Sequence, residues 1–195
     1  MGCNLKKGDA MTNVAGVCLA AAMLAGGAVA QGQMAGMSMP AAPAPSTGPA
    51  SEVLGSYTRL KPNVIKAAEK MPADGYQFKP TPEIRAYARV VNHITEAQFH
   101  TCTALNGTKF DPASVPSDTA DKAVIVDALK ASFAECDKAY AGLTDANVTE
   151  MLAVGPNKRS RIGFAWGNVS HDNEQYAELS TYLRLKGLVP PTSEK

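Results

Sequence analysis

The residues of this chain that are best suited to chemistry are its three histidines, His93, His100 and His171. An imidazole nitrogen is a good ligand for zinc, nickel and iron(II). His93 and His171 are each followed three residues later by a glutamate, Glu96 and Glu174. Residues three apart lie on the same face of a helix. The chemistry that these residues could do is therefore the binding of a divalent transition metal.

Glu96, Glu174 and His100 can each be explained with or without a role in metal binding. The His-x-x-Glu spacing is the reverse of the Glu-x-x-His motif found in di-iron helix bundles. A di-iron site also needs two further helices that each carry a glutamate. Without such helices, Glu96 and Glu174 are solvated residues on exposed helix faces. His100 follows His93 by seven residues, or about 10.5 Å along a helix axis, so the two cannot easily hold one ion. We expect His100 to cap or line the helices, and we rank it below His93 as a ligand.

A second pattern lies near the C-terminus, where His171 and Gln175 are four residues apart. Residues at this spacing lie one above the other on a helix and can reach the same ion. The segments that carry a wider resemblance are 68–72, 76–85, 171–176, 182–187 and 190–194. Together they resemble the DinB-like (DinB/YfiT) superfamily of metalloenzymes, whose usual C-terminal pattern is His-x-x-x-His. The resemblance covers about residues 51 to 194, with Gln175 in place of the second histidine.

The resemblance implies a site formed by His93, His171 and Gln175, with Zn, Ni or Fe as the cofactor. An amide oxygen is a weaker ligand than imidazole for these metals, so we expect weak binding or none. Relatives in this superfamily include thiol S-transferases in which a metal activates a thiol. The function implied is thus a metal-dependent transferase or hydrolase. The competing function is a non-catalytic bundle with a degenerate metal site, which binds a small ligand or a protein partner.

The apolar pattern predicts an all-α four-helix bundle with no strand. The first helix is expected over 51–71, with a kink or a new start at Pro62. The second is expected to begin at Thr81-Pro82-Glu83 and to end near 105. The third carries apolar residues from Ala123 to Tyr140, and the fourth spans about 158–186. A crossover of about a dozen residues can span the length of a helix, so the second and third helices can run parallel. We also expect Trp166 in the core.

The N-terminal region is typical of an exported protein. Lys6 and Lys7 precede an apolar run from Val14 to Ala30, and the run ends in an Ala-x-Ala cleavage pattern, so residues 1–30 are predicted to be a signal peptide. Residues 31–50 are rich in Pro, Ala and Met and are predicted to be a disordered linker before the bundle domain, 51–195. The predicted location is the periplasm or the exterior, whichever of Met1 or Met11 is the start.

Removal of residues 1–30 takes away Lys6, Lys7 and Asp9, so the formal net charge falls from +1 to zero. A net charge of zero does not imply a basic stripe for nucleic acid, and we expect neither nucleic-acid binding nor membrane contact after signal removal. The expected partners are a small-molecule ligand and, in a homodimer, a second copy of the chain.

Cys102 and Cys136 remain after signal removal, and in an oxidising compartment we predict a disulfide between them, the alternative being two buried free thiols. A disulfide would require the C-terminal ends of the second and third helices to meet, as in the up-down-down-up topology of the superfamily.

Overall fold

The computed structural model describes residues 48–154 and 157–195. The predicted signal peptide and nearly all of the predicted linker lie outside these residues. The described elements, in chain order, are α1 (Pro49–Lys70), α2 (Tyr87–Asn106), α3 (Lys122–Ala141), β1 (Met151–Val154), β2 (Asn157–Ser160) and α4 (Arg161–Leu185), with short 3-10 turns at Ala73–Gly75, Pro112–Ser114 and Pro191–Ser193. Within the described ranges, none of the helices has the length and apolar character needed to cross a membrane. The four helices of the predicted bundle are confirmed.

The helices form an up-down-down-up bundle in which α2 packs against α3 and α4, and α1 packs against α4 and α3. The hydroxyl of Tyr87, at the start of α2, donates to the carbonyl of Ala67 near the end of α1 (2.7 Å). The guanidinium of Arg161, at the start of α4, donates to the carbonyl of Leu105 near the end of α2 (2.9 Å). Helix α2 is therefore antiparallel to both α1 and α4, and the crossover to α3 makes α2 and α3 parallel, as predicted.

Helix α1 illustrates why each helix is buried on one side. Its buried positions recur at intervals of three or four and include Val53, Tyr57, Leu60 and Val64, which is the spacing of a single helical face. Pro62 lies on the exposed side, and the helix continues through it without a new start. A proline is tolerated there because its ring faces solvent and only one backbone hydrogen bond is lost.

The predicted start of α2 at Thr81-Pro82-Glu83 was wrong, since the helix begins at Tyr87. The first-turn N–H groups of Tyr87 and Ala88 donate to the carbonyls of Phe78 and Tyr76 (3.1 and 2.8 Å). Those groups have no partner within their own helix. The preceding loop supplies their acceptors from its backbone, so a side-chain cap at Thr81 is not needed.

The prediction that the chain contains no strand was also wrong. Strands β1 and β2 form a short antiparallel hairpin in which Met151 pairs with Ser160 and Leu152 with Arg159. The hairpin leads directly into α4, where the Ser160 hydroxyl accepts from the N–H of Gly163 (3.2 Å) and caps the helix. The expectation that Trp166 lies in the core was wrong as well, because 41% of this residue is exposed.

The two cysteines of the bundle lie side by side at the predicted helix ends. The Cα atoms of Cys102 in α2 and Cys136 in α3 are 4.9 Å apart and their sulfur atoms are within bonding distance. Both residues are fully buried. This separation is within the range that a disulfide requires. The oxidation state of the pair in the cell stays a prediction.

Candidate metal centre

His93 and His171 converge at the contact between α2 and α4. Their Nε2 atoms are 3.1 Å apart, and their rings meet edge to face with centroids 4.8 Å apart. Each ring is only partly buried, so solvent can reach the pair. The antiparallel packing of the two helices brings together residues that are 78 positions apart in sequence.

The separation of the two nitrogens is compatible with two states of the pair. In one state a single proton lies between them, since one Nε2–H donates and the other Nε2 accepts. In the other state both lone pairs point at a common cation. Two nitrogens that bind one tetrahedral zinc ion at about 2.0–2.1 Å lie about 3.3–3.4 Å apart. Little movement of His93 and His171 would therefore be needed to exchange the shared proton for a metal.

The charges around His93 oppose its protonation. Burial lowers the pKa of His93 below its usual value. The positive charges of His171, Arg85 and Arg89 lower this pKa further, and the negative charge of Glu96 offsets part of the lowering. A neutral imidazole keeps the lone pair that a metal ligand requires. The same positive charges, however, also act against a bound divalent cation.

Asp172 lies behind His171 in the interior of the bundle. Its side chain is fully buried, with Oδ1 3.4 Å from Nδ1 of His171 and Oδ2 3.4 Å from the amide nitrogen of Asn168. Burial raises the pKa of Asp172 to about 6, and the neighbouring His171 offsets part of this rise. A carboxylate at Nδ1 favours the tautomer in which Nε2 carries the lone pair. Asp172 is thus placed to direct Nε2 of His171 toward His93.

Gln175 lies on the predicted face of α4, one turn after His171, and is almost fully buried. Its Oε1 accepts a hydrogen bond from Nη2 of Arg85 (3.0 Å). The same Nη2 donates to Oε2 of Glu178 (2.5 Å). A guanidinium only donates hydrogen bonds, so the amide must present its oxygen to Arg85. The oxygen that was predicted to face a metal faces an arginine in this arrangement.

The remaining predicted site residues lie away from the centre or have other partners. Glu96 forms an ion pair with Arg89 (3.2 Å), and Glu174 is exposed. His100 is exposed and packs against the ring of Phe110, with centroids 4.2 Å apart. It lines a separate cleft of about 570 Å³ beside the hairpin. Across residues 48–154 and 157–195, no three His, Cys, Asp or Glu side chains are grouped closely enough to hold a metal.

The similarity of this chain to known proteins agrees with the four-helix bundle. The sequence model of the DinB superfamily (DinB_2) matches residues 56–179. The chain belongs to the DinB superfamily. No curated protein matches it.

Two solved DinB-like structures share the fold. One, from Bacillus cereus ATCC 10987, has a TM-score of 0.59 and 19% identity, over 71% of this chain and 93% of that one. The other, YjoA from Bacillus subtilis, has a TM-score of 0.57 and 15% identity, over 70% and 92%. At these identities the likeness concerns the fold alone. The predicted membership of the superfamily is confirmed.

Sequence reasoning had missed two residues beside the histidine pair. Arg85 lay inside a segment that resembles the family but had no assigned role, and its partner Gln175 is 90 positions away. Asp172 follows His171 directly, and adjacent helical residues point about 100° apart, so no common face suggested a contact. The only sequence signal for either residue was a charged side chain within or next to a family motif.

Proposed function

We propose that this DinB-like protein binds a divalent transition metal weakly through Nε2 of His93 and Nε2 of His171. The observation that supports this most directly is the 3.1 Å separation of those two nitrogens. The buried carboxylate of Asp172, near Nδ1 of His171, supports the required tautomer. The pair is a good donor set for Zn, Ni or Fe(II), but two protein ligands hold an ion less firmly than three.

The catalytic form of the proposal is a metal-dependent transferase of the thiol S-transferase kind, or a hydrolase. A metal held there would supply a Lewis acid that lowers the pKa of a bound thiol or water. His93 and His171 would bind and orient, and Asp172 would keep the proton on Nδ1 of His171. His93 and His171 are each partly exposed, so a small substrate in solvent could reach a metal held there.

A second candidate function is supported by Gln175. Its oxygen is engaged by Arg85, so the bundle offers two imidazoles and a fixed positive charge. This favours a non-catalytic bundle whose degenerate site binds a small ligand or a protein partner. Activity assays with added metal separate the two candidates, because only the catalytic form would transfer a thiol to an acceptor, or hydrolyse a substrate, in a metal-dependent reaction.

A titration tests the binding proposal that is common to both forms. Zn²⁺ and Ni²⁺ are titrated into the wild type, H93A, H171A and H100A, with a chromophoric chelator as competitor. We expect H93A and H171A to weaken binding by about tenfold or more, or about 1.4 kcal/mol. H100A is the matched control, since it removes an exposed histidine outside the centre, and should bind like the wild type. Equal binding by all four proteins would contradict the proposal.

We also propose that the protein is exported and that its mature form begins near Gln31. The support is the sequence pattern of residues 1–30. N-terminal sequencing of protein from the native host tests this. A chain that retains residues 1–30 and stays in the membrane fraction would contradict it.

A further inference from the structure

The guanidinium of Arg85 bridges two side chains of α4 beside the histidine pair. Nη2 contacts Oε1 of Gln175 at 3.0 Å and Oε2 of Glu178 at 2.5 Å. The backbone at this point is also fixed, because the hydroxyl of Tyr182 donates to the carbonyl of Arg85 (2.5 Å). Arg85 lies in the loop before α2 and is not part of either helix that carries a histidine. Its side chain connects this loop to α4, and we call this contact the Arg85 clamp.

This clamp determines which end of the Gln175 amide is available. An amide has one end that accepts and one that donates, and only the oxygen can bind a metal. Arg85 occupies one of the two lone pairs of this oxygen. A cation at the second lone pair would lie beside the positive charge of the guanidinium, and the NH₂ group has no lone pair for a cation. Gln175 is also only 4% exposed, so its amide cannot turn toward solvent to contact Arg85 and a metal at the same time.

Arg89 provides an internal comparison. Like Arg85, it contributes positive charge near His93, and it pairs with a glutamate, Glu96, as Arg85 pairs with Glu178. The exposed fractions of the two arginine side chains are nearly equal, 38% and 39%. The two arginines differ in that Arg85 also holds the Gln175 oxygen, whereas Glu96, the partner of Arg89, lies near enough to His93 to raise the pKa of that histidine.

We propose that Arg85 is a positioning residue that withholds Gln175 from the metal centre and so sets its low affinity for divalent transition metals. This inference rests on the proposed function, since it assumes that His93 and His171 bind the metal. When Arg85 is removed, the Gln175 oxygen is free to become a third ligand on the face that already carries His171. The replacement of histidine by glutamine is then only part of the reason for weak binding, and the arginine that holds the glutamine is the other part.

The test compares R85M with R89M. Methionine keeps much of the apolar stem and removes the charge and the donors, and each variant leaves one glutamate without its arginine. Zn²⁺ and Ni²⁺ affinities are measured by chelator competition at pH 7.5, after a thermal melt shows that each variant is folded. We expect R85M to bind about tenfold more tightly than the wild type, a typical effect of restoring one interaction at a metal site. The R89M affinity should rise by no more than about threefold, the scale of a screened surface charge.

A double variant identifies the source of any gain. In R85M/Q175L, the expected affinity returns to that of R89M, because no amide oxygen remains to bind the metal. A gain that persists in R85M/Q175L would overturn the inference, since it would come from lost charge or from Glu178. Equal gains in R85M and R89M, or none in R85M, would overturn it too.

Histidine variants in the same assay keep the two proposals separate. H93A and H171A are placed in both the wild-type and the R85M background. If either background binds metal without these histidines, the proposed function is wrong. If binding requires them in both backgrounds and R85M behaves like R89M, only the role of Arg85 is wrong.

Discussion

The carboxylate of Asp172 lies 3.4 Å from Nδ1 of His171, while Nε2 of the same ring faces His93 at 3.1 Å. A fully buried acid thus contacts one nitrogen of an imidazole whose other nitrogen is near solvent. This arrangement links the interior of the bundle to the candidate metal centre. It also makes two properties of the protein dependent on Asp172, namely the tautomer of His171 and the stability of the fold.

The variant D172N should change the pH dependence of stability. The pKa of Asp172 is raised to about 6 from its usual 3.8, so between these values the folded protein binds more protons than the unfolded chain. The free energy of unfolding therefore contains a contribution from Asp172 that decreases as pH rises from 4 to 6 and stays low above that range. Asparagine cannot ionise, so D172N removes this loss and should be more stable at pH 7 by about 1–3 kcal/mol.

Urea unfolding of metal-free wild type and D172N between pH 4 and 8 measures this effect. His93 contributes with the opposite sign, because its lowered pKa makes the folded protein bind fewer protons than the unfolded chain below the ordinary histidine range. The difference between the two proteins cancels the His93 contribution and isolates Asp172. A D172N protein that is less stable at pH 7, or that shows the wild-type slope from pH 4 to 6, would contradict the assignment.

The variant Q175H should raise metal affinity by placing a second imidazole one helical turn from His171. An imidazole is a stronger donor than an amide for Zn and Ni, and we expect a gain of about tenfold to a hundredfold. The control is E174H, which adds an imidazole at the exposed neighbouring position. Metal titration of both variants checks the prediction. Equal affinities for Q175H and E174H would show that the face carrying His171 is not part of a metal site.

The pair Cys102 and Cys136 should be a disulfide in protein from an oxidising compartment. The pair closes a loop with a sequence separation of 34, for which the chain-entropy model gives about 3 to 4 kcal/mol. Intact mass after alkylation, with and without prior reduction, counts the free thiols. Reduction should lower the denaturation midpoint of the wild type and leave C102A/C136A unchanged. Two alkylated thiols without prior reduction would refute the bond.

The four helices could be predicted because each carries an apolar face that must be buried, as the spacing of Val53, Tyr57 and Leu60 shows. The convergence of His93 and His171 was expected from the family motifs. The parallel course of α2 and α3 was expected because a long crossover allows it and because Cys102 and Cys136 lie at matching helix ends. These features depend on patterns that repeat over many residues.

The features that were missed depend on contacts between distant parts of the chain. The capping signal at Thr81 was overridden by the carbonyls of Tyr76 and Phe78. The β1–β2 hairpin has strands of four residues, which are too short to show a clear alternation. Trp166 shares an exposed face with Ser170 and Asn173, and those polar neighbours were the available signal against a core position.

The Arg85 contact with Gln175 could not be predicted for a related reason. The family motif specifies which residue types stand at which positions, and it contains no information on the orientation of an amide. That orientation is determined by a donor from a loop 90 positions away. Side-chain hydrogen bonds of this kind become visible only once the fold is known.

The most direct measurement of the central claim is long-range ¹H–¹⁵N NMR of the imidazole nitrogens during a zinc titration. The chain has three histidines, so each can be assigned by substitution. We predict that the Nε2 signals of His93 and His171 shift together with the same apparent affinity, and that those of His100 stay in place. A shift at only one of the paired histidines, or a shift at His100 at a lower zinc concentration than at the pair, would contradict a metal centre formed by His93 and His171.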